Sequence, residues 1–528
     1  MRPHSAALLL FLLAPAAARA ALDAQAVAKL AAEDSEEKLA GVEALAQSPD
    51  PAAARVLRAL ADDNLQVADG RVLLLDGERY LDAVTLAEVD PAPEGAEPVT
   101  INNRIRRHVG TALAALRLGD PDRRARLAAA QALTDGASLE LAPALKRALD
   151  AERDREVKPL LALAYAQATL QSPEPEARLS AVKALRDSGN PRVERLLSGV
   201  LADGAETDPA VRREALASLE AVRRRLALGE LVGRIFSGLS LGSILLLAAL
   251  GLAITYGLMG VINMAHGELL MIGAYATYAM QGVFARHLPR AADWYVVAAI
   301  PVAFLAAGLV GAALERTVIR FLYGRPLETL LATWGASLVL SQTARSIFGA
   351  QNVSVANPSW MSGGVELMAN AVLPWNRIAI VGFSLAVLTL VWLGMNRTRF
   401  GLFLRAVTQN RAMAGCVGVP TGRLDTLAFA AGAGIAGLGG VALSQIANVG
   451  PDMGQAYVVD SFMVVVLGGV GQLAGAVFAA LGLGVLSKFL EGWSGAVIAK
   501  IAVLAFVIVF IQKRPQGLFA LKGRFAED

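Results

Sequence analysis

Residues 257–275 read GLMGVINMAHGELLMIGAY. This stretch lies deep in apolar sequence, yet it carries Asn263, His266 and Glu268 within six residues. A charged side chain at the centre of a membrane helix costs about 2.5–3.5 kcal/mol even on a lenient insertion scale. These groups are therefore either used or sheltered. Asn263, His266 and Gly267 stand at i, i+3 and i+4, which predicts one helical face, with Glu268 about 100° further round. Gly257, Gly260 and Gly267 let the backbone bend or pack closely, and a helix broken here would also present amides and carbonyls. Three readings stay open: the groups line a passage, they form a buried network that fixes packing, or they relay protons.

Outward from this stretch the chain is uneven. Of its 528 residues 55% are hydrophobic, and 50 are glycine. Only eleven of the 46 acidic residues lie after residue 230. A charged first part of soluble character thus precedes a membrane part. The net charge of +3 is too small to imply nucleic acid, and no basic stripe with interleaved aromatics occurs. The single cysteine, Cys416, rules out an intrachain disulfide framework and any multi-cysteine metal site.

The N-terminus has the layout of a secretory signal: Arg2, the apolar run AALLLFLLAPAAA, and the small-residue site Ala18-Arg19-Ala20. The apolar run is shorter than the ~20 residues a span needs. Cleavage after Ala20 is expected, with export of the domain that follows and a bacterial inner membrane as the setting.

Residues 21–230 are helical in pattern and repetitive. KLAGVEALAQSPDP at Lys38 and RLSAVKALRDSGNP at Arg178 align with Leu39/Leu179, Leu45/Leu185 and Pro51/Pro191 in register. RLAAAQAL at Arg126 and RREALASL at Arg212 are further copies. Apolar residues at three- and four-residue spacing give each helix one buried stripe. Such copies fit either a stack of HEAT-type helix pairs or a plain α-helical domain. Residues 66–100 interrupt the pattern with short β-like runs around Asp-Gly, a hairpin signal. No nucleophile motif or His/Cys/carboxylate cluster is present, so binding or positioning is the expected role.

After Arg223–Arg225 come about eight apolar segments: 235–256, 258–281, 293–314, 328–348, 377–395, 424–446, 457–486 with a Gly-rich break, and 496–511. The fold class expected is therefore all-α, a polytopic membrane domain over 231–520 with a tail at 521–528. If residue 230 is outside, the segments after spans three and five are cytoplasmic. They hold three and five arginines, whereas 349–375 holds no Lys or Arg. The positive-inside rule thus agrees with export of the first domain. The tail QKRPQGLFALKGR reaches the inside only if GGVGQLAG divides 457–486 into two crossings. That glycine run lacks the Lys-Ser/Thr of a phosphate cradle. No such motif occurs anywhere, and no convergent nucleophile, base and orienter is found, so the chain is expected to be no enzyme and to need no cofactor.

NMAHGELLMIGAY, ERTVIRFLYGRP, RAVTQNRAMAGCVGV and VVVLGGVGQLAGAVFAALGLG resemble the permease subunits of the branched-chain amino acid ABC importers over residues 235–520. ATWGASL, VALSQIANVGP, DSFMVVVLGGVG, FIQKRPQGLFA and the long N-terminal extension resemble the urea-transport branch. The resemblance implies a heterodimer with a second permease, two cytoplasmic ATPases, a periplasmic substrate-binding protein and surrounding membrane lipid. It implies urea or a small amide as cargo, with branched-chain amino acids as the alternative. It also makes the loop between spans five and six the ATPase-coupling loop, with Arg405, Gln409, Arg411, Gly415 and Gly418 as its expected residues. Urea offers four N–H donors and one acceptor, which Asn263 and His266 could meet at moderate strength. A proton-coupled transporter or channel is a rival reading, and a sensory or scaffolding protein is another.

Overall fold

The computed structural model describes residues 22–519 apart from positions 49, 69, 78, 92, 94, 135, 203 and 369. The expected signal peptide (1–20) and the tail 521–528 lie outside the described residues. The chain divides into two compact units between Leu226 and Ala227.

The first unit opens with α1 (Ala24–Lys29), α2 (Ser35–Ala46) and α3 (Pro51–Ala61). Strands β1 (Leu65–Ala68), β2 (Arg71–Asp76), β3 (Arg79–Asp82) and β4 (Glu97–Pro98) follow as an antiparallel sheet in the order β3-β2-β1-β4. This sheet is the expected interruption, and Gly77 turns the β2–β3 hairpin at φ +68°. Next come α4 (Asn103–Leu116), α5 (Arg123–Leu133), α6 (Ala142–Ala151), α7 (Val157–Thr169), α8 (Pro175–Leu185) and α9 (Pro191–Val200). Helix α10 (Pro209–Met259) begins in this unit and continues into the second.

Local chemistry sets these helix starts. Asp34, Asp50 and Asp122 each accept the backbone N–H two residues on, and proline fills the first helical turn of α3, α8 and α9. The copies share a clamp as well as a stripe. Arg126 on α5 binds Glu152 at 2.8 Å and the carbonyls of Asp120 and Pro121. Arg178 on α8 does the same with Glu206, at 2.7 and 2.8 Å, and with the carbonyls of Ser172 and Pro173. Lys38, the aligned residue of α2, reaches the carbonyl of Thr100 at 2.8 Å. In these three copies one basic position therefore ties a helix to the loop that closes its unit.

The second unit contains the rest of α10, then α11 (His266–His287), α12 (Tyr295–Thr317) and α13 (Pro326–Phe348). A β5–β6 hairpin (Gly364–Met368, Ala371–Pro374) precedes α14 (Trp375–Arg397). The short α15 (Arg399–Gln409) and α16 (Arg411–Cys416) lead to α17 (Thr421–Ser444), α18 (Met453–Gly468), α19 (Leu473–Ser494) and α20 (Ala496–Lys513). Among the described residues six helices, α10, α12, α14, α17, α19 and α20, are long and apolar enough to cross a membrane.

One expected span starts elsewhere and one expected break is present. The segment expected at 258–281 begins later as a helix, because Gly260 at φ +66° stops α10 and the next helix starts only at His266. The segment 457–486 is two helices, divided where Gly469 and Gly471 take φ of +100° and +79°. Residues 518–519 return to this division: the Leu518 N–H meets the Leu467 carbonyl at 2.8 Å. Gly471 in turn packs on Gly257, so residues 518–519 lie at the same end of the bundle as the end of α10.

Helix α17 is the centre, with 17 of its 24 residues buried. A Cβ on Gly440 would stand 2.0 Å from the Leu270 carbonyl oxygen, and one on Gly437 2.7 Å from that of Ala303. Backbones therefore touch across α11, α12 and α17, the close approach that small residues allow.

Gly440→Val is expected to cost about 3 kcal/mol or more, because the obstruction is backbone rather than a movable side chain; folded yield after detergent extraction measures it. In the first unit the Arg178 guanidinium holds the Glu206 carboxyl down to about 2, below its ordinary 4.5. A depressed carboxyl stabilises the fold above its unfolded value, and that contribution is lost as pH falls from about 4.5 towards 2. Glu206→Gln is expected to remove this acid-side loss and to cost about 2 kcal/mol at neutral pH, read by proteolytic cleavage within residues 22–226 of the full chain against pH.

Candidate functional site

The polar stretch is built around a helix break. After Met259 the chain runs through Gly260–Ala265 without helical structure, and α11 starts at His266. His266 Nε2 lies 2.8 Å from the carbonyl oxygen of Ala248 on α10. Ala248 is eleven residues before the end of α10, about 16 Å back along that helix. Helix α11 therefore begins within the bundle rather than at its edge. Asn263 lies in the break, so Asn263, His266 and Gly267 do not share one continuous helical face as expected. The glycine at 260, with φ in the left-handed region, is the cause.

Thr333 of α13 staples the break. Its hydroxyl accepts the Met264 N–H at 3.1 Å and lies 3.4 Å from the Ile262 carbonyl. Asn263, His266 and Glu268 are all buried. Asn263 Oδ1 accepts the Ala265 N–H at 3.0 Å, which leaves its Nδ2 with no protein partner. A carbonyl can only accept, so His266 Nε2 is the donor to Ala248. In the neutral ring that makes Nδ1 a bare acceptor, and it too has no partner. Glu268 sits beside Ser337 and Ser341 of α13. Gly267 packs backbone to backbone on Gly454, so the starts of α11 and α18 meet here. The stretch thus brings together one free donor, one free acceptor and a carboxyl around two helix N-termini. No group of three His, Cys, Asp or Glu side chains converges among the described residues.

The second candidate region is the α15–α16 loop. Arg405, Gln409, Gly415 and Gly418 are exposed, and Gly418 ends α16 at φ +88°. Met413 and Val417 are also exposed, giving the loop an apolar tip. Arg411 differs from its neighbours. Its Nη1 meets Asp425 Oδ1 at 3.2 Å, its Nη2 meets Oδ2, and its guanidinium lies 4.9 Å from the centre of the Tyr323 ring. Asp425 is buried at the start of α17. Tyr323 reaches Glu315 at 3.5 Å, and Thr426 donates to Glu315 at 2.6 Å. Burial, and then Asp425 and Glu315, push the Tyr323 phenol above its usual value. Arg411 therefore braces the loop to α17 and to the α12–α13 connection. Asp425, Tyr323 and Thr333 were missed in the sequence. A lone acid at the end of an apolar helix was the available signal for Asp425; Tyr323 and Thr333 carried none. Arg345, close to the end of α13, pairs with Asp452 at 2.5 Å.

Residues 234–512 match the family described as "Branched-chain amino acid transport system / permease component". The high-affinity branched-chain amino acid transport system permease protein LivH of Salmonella typhimurium (strain LT2) is 29% identical over 296 residues, covering 54% of this chain and 94% of the relative. LivH of Escherichia coli K12 is 29% identical over 293 residues, again 54% and 94%. The permease protein BraD of Pseudomonas aeruginosa PAO1 is 27% identical over 291 residues, with the same coverage. No solved structure matches the chain.

Arg411→Ala leaves Asp425 buried without its cation, and is expected to destabilise the loop by about 3 kcal/mol. Arg411→Lys keeps the charge but loses the two-pronged contact. Protease cleavage between residues 397 and 423 should rise in the order wild type, Lys, Ala.

Proposed function

The chain belongs to the branched-chain amino acid transport permease family, and we propose that it forms part of the substrate passage of an ATP-driven importer. Its relatives are permease components rather than enzymes. The sequence carries no nucleotide-binding motif, so ATP hydrolysis falls to partner subunits. The assembly proposed contains a second permease, two cytoplasmic ATPases and a binding protein that delivers cargo. Residues 21–230 lie on the delivery side and α15–α16 on the ATPase side. Arg405, Gln409, Gly415 and Gly418 face the ATPase, while Arg411 transmits its movement to α17 and the α12–α13 connection.

The observation that carries the passage reading is the break at Gly260–Ala265. A helix start inside a bundle, with buried polar atoms lacking partners, is the arrangement that membrane transporters use to meet a solute. Asn263, His266, Gly267 and Glu268 form that meeting point. The first cargo reading is a branched-chain amino acid, the class in the names of the relatives.

A second reading, urea, has one specific observation in its favour. Asn263 Nδ2 offers a donor and His266 Nδ1 an acceptor, the complement of a planar amide edge. An amino acid would have to divide its two charged groups between these atoms, carboxylate to Asn263 Nδ2 and ammonium to His266 Nδ1, whereas urea presents donor and acceptor on one plane.

Uptake of radiolabelled leucine and urea into cells with and without the chain separates the readings. Loss of leucine uptake alone supports the first, and loss of urea uptake alone supports the second. Asn263→Ala is expected to lower flux of the true cargo about tenfold, one lost hydrogen bond of roughly 1.4 kcal/mol, with assembly intact. Uptake that survives ATP depletion but fails when the proton gradient collapses would overturn the ATP-driven reading.

A further inference from the structure

A second set of charges lies inside the second unit and away from the helix break. Asp460 of α18 and Lys500 of α20 pair at 3.3 Å, and Lys500 also donates to the Ala456 carbonyl at 3.2 Å. Lys488 and Glu491 of α19 pair at 2.6 Å. Asp460, Lys500 and Glu491 line a cavity of about 500 Å³ between α10, α18, α19 and α20. Its remaining wall is largely apolar, with Leu241, Leu245, Met463 and Val503.

Three features define what fits. Two acids and one lysine line the cavity, so it offers carboxylates to a cation beside one ammonium for an anion, the pattern that suits a dipolar group with its cation foremost. Lys500 sits five residues from the start-turn of α20 at Gly495, about 8 Å along a helix, close enough for a long side chain to reach back towards that end. Its side chain is 61% exposed, and Val497, Ile498 and Ile501 around it on the same helix are exposed at 75%, 58% and 61%. The mouth therefore opens on an apolar outer face, where acyl chains run.

We propose that this cavity holds the head group of a zwitterionic membrane lipid with a primary ammonium, of the phosphatidylethanolamine type. The ammonium donates to Asp460 and Glu491, Lys500 turns to the phosphate, and one acyl chain follows the apolar wall. Basic pockets between spans are established as head-group sites; the paired acids make this one selective for a cation that can donate N–H bonds. A quaternary ammonium has no N–H to give, and an anionic lipid that draws Lys500 to its phosphate brings no cation to take its place at Asp460.

The test is native mass spectrometry of the detergent-purified complex supplied with dioleoyl phosphatidylethanolamine, phosphatidylcholine or phosphatidylglycerol. Phosphatidylethanolamine should be retained about tenfold over phosphatidylcholine, the ratio given by one charge-assisted hydrogen bond. Asp460→Asn should abolish the preference, whereas Lys500→Gln should lower retention of all three lipids and Lys500→Arg should restore it. Glu491→Gln, farther from the packed α18, should reduce the preference and guards against a misfolded Asp460 variant. Equal retention of the three lipids, or an unchanged preference in Asp460→Asn, would overturn the proposal. So would a crosslink from Val497→Cys to the second permease in place of lipid, since it would assign this face to a subunit interface. None of these outcomes bears on which cargo is carried.

Discussion

Backbone-to-backbone contact along α17 is the constraint on which the membrane unit depends. Gly432, Gly437 and Gly440 bring that helix against α10, α12 and α11 at separations no Cβ could share. Between spans in lipid the hydrophobic effect gives little, because the surrounding tails are as apolar as leucine. Close dispersion contact then has to supply the association, and glycine is the residue that permits it. The same logic recurs at Gly242 against Ala480, Gly267 against Gly454 and Gly468 against Gly475. The result is a tight inner group of α10, α11, α12 and α17. Helices such as α14 and α20 lie outside it with apolar faces exposed.

That tightness is what shelters the polar stretch. Because α11 starts beside Ala248 rather than at the end of α10, its first turn is enclosed by neighbouring helices instead of lipid. Irregular backbone is tolerated at that depth only where protein surrounds it or a cavity is lined. Thr333 and Ala248 satisfy part of the break; Asn263 Nδ2 and His266 Nδ1 stay unsatisfied. Each is a desolvated polar group without a protein partner; on the function proposed above, these are the atoms that meet the cargo.

The first unit follows a different physical rule. It is held by apolar stripes, aspartate caps and repeated arginine–glutamate clamps, all satisfied among its own residues. Its copies were legible as sequence because each needs the same leucines and the same basic position. The clamps were not, since Glu152 and Glu206 lie 26 and 28 residues from their arginines and nothing in their local pattern marks them. In the membrane unit the position of each apolar segment was legible from composition, and so was the weak point at GGVGQLAG.

The sequence by itself determined that this is a polytopic α-helical membrane protein with a charged helical domain before it, because period and hydropathy are local properties of the chain. It also singled out Asn263, His266 and Glu268, since polar groups in apolar sequence are conspicuous. Only the tertiary structure decided that the helix breaks at Gly260, that Asn263 and His266 do not share a helical face, and that Arg411 is a brace. Each of those depends on a partner distant in the chain: Ala248, Thr333, Asp425 or Tyr323. Spacing along a sequence sets which way a side chain points on its own helix. What it meets there is fixed by packing.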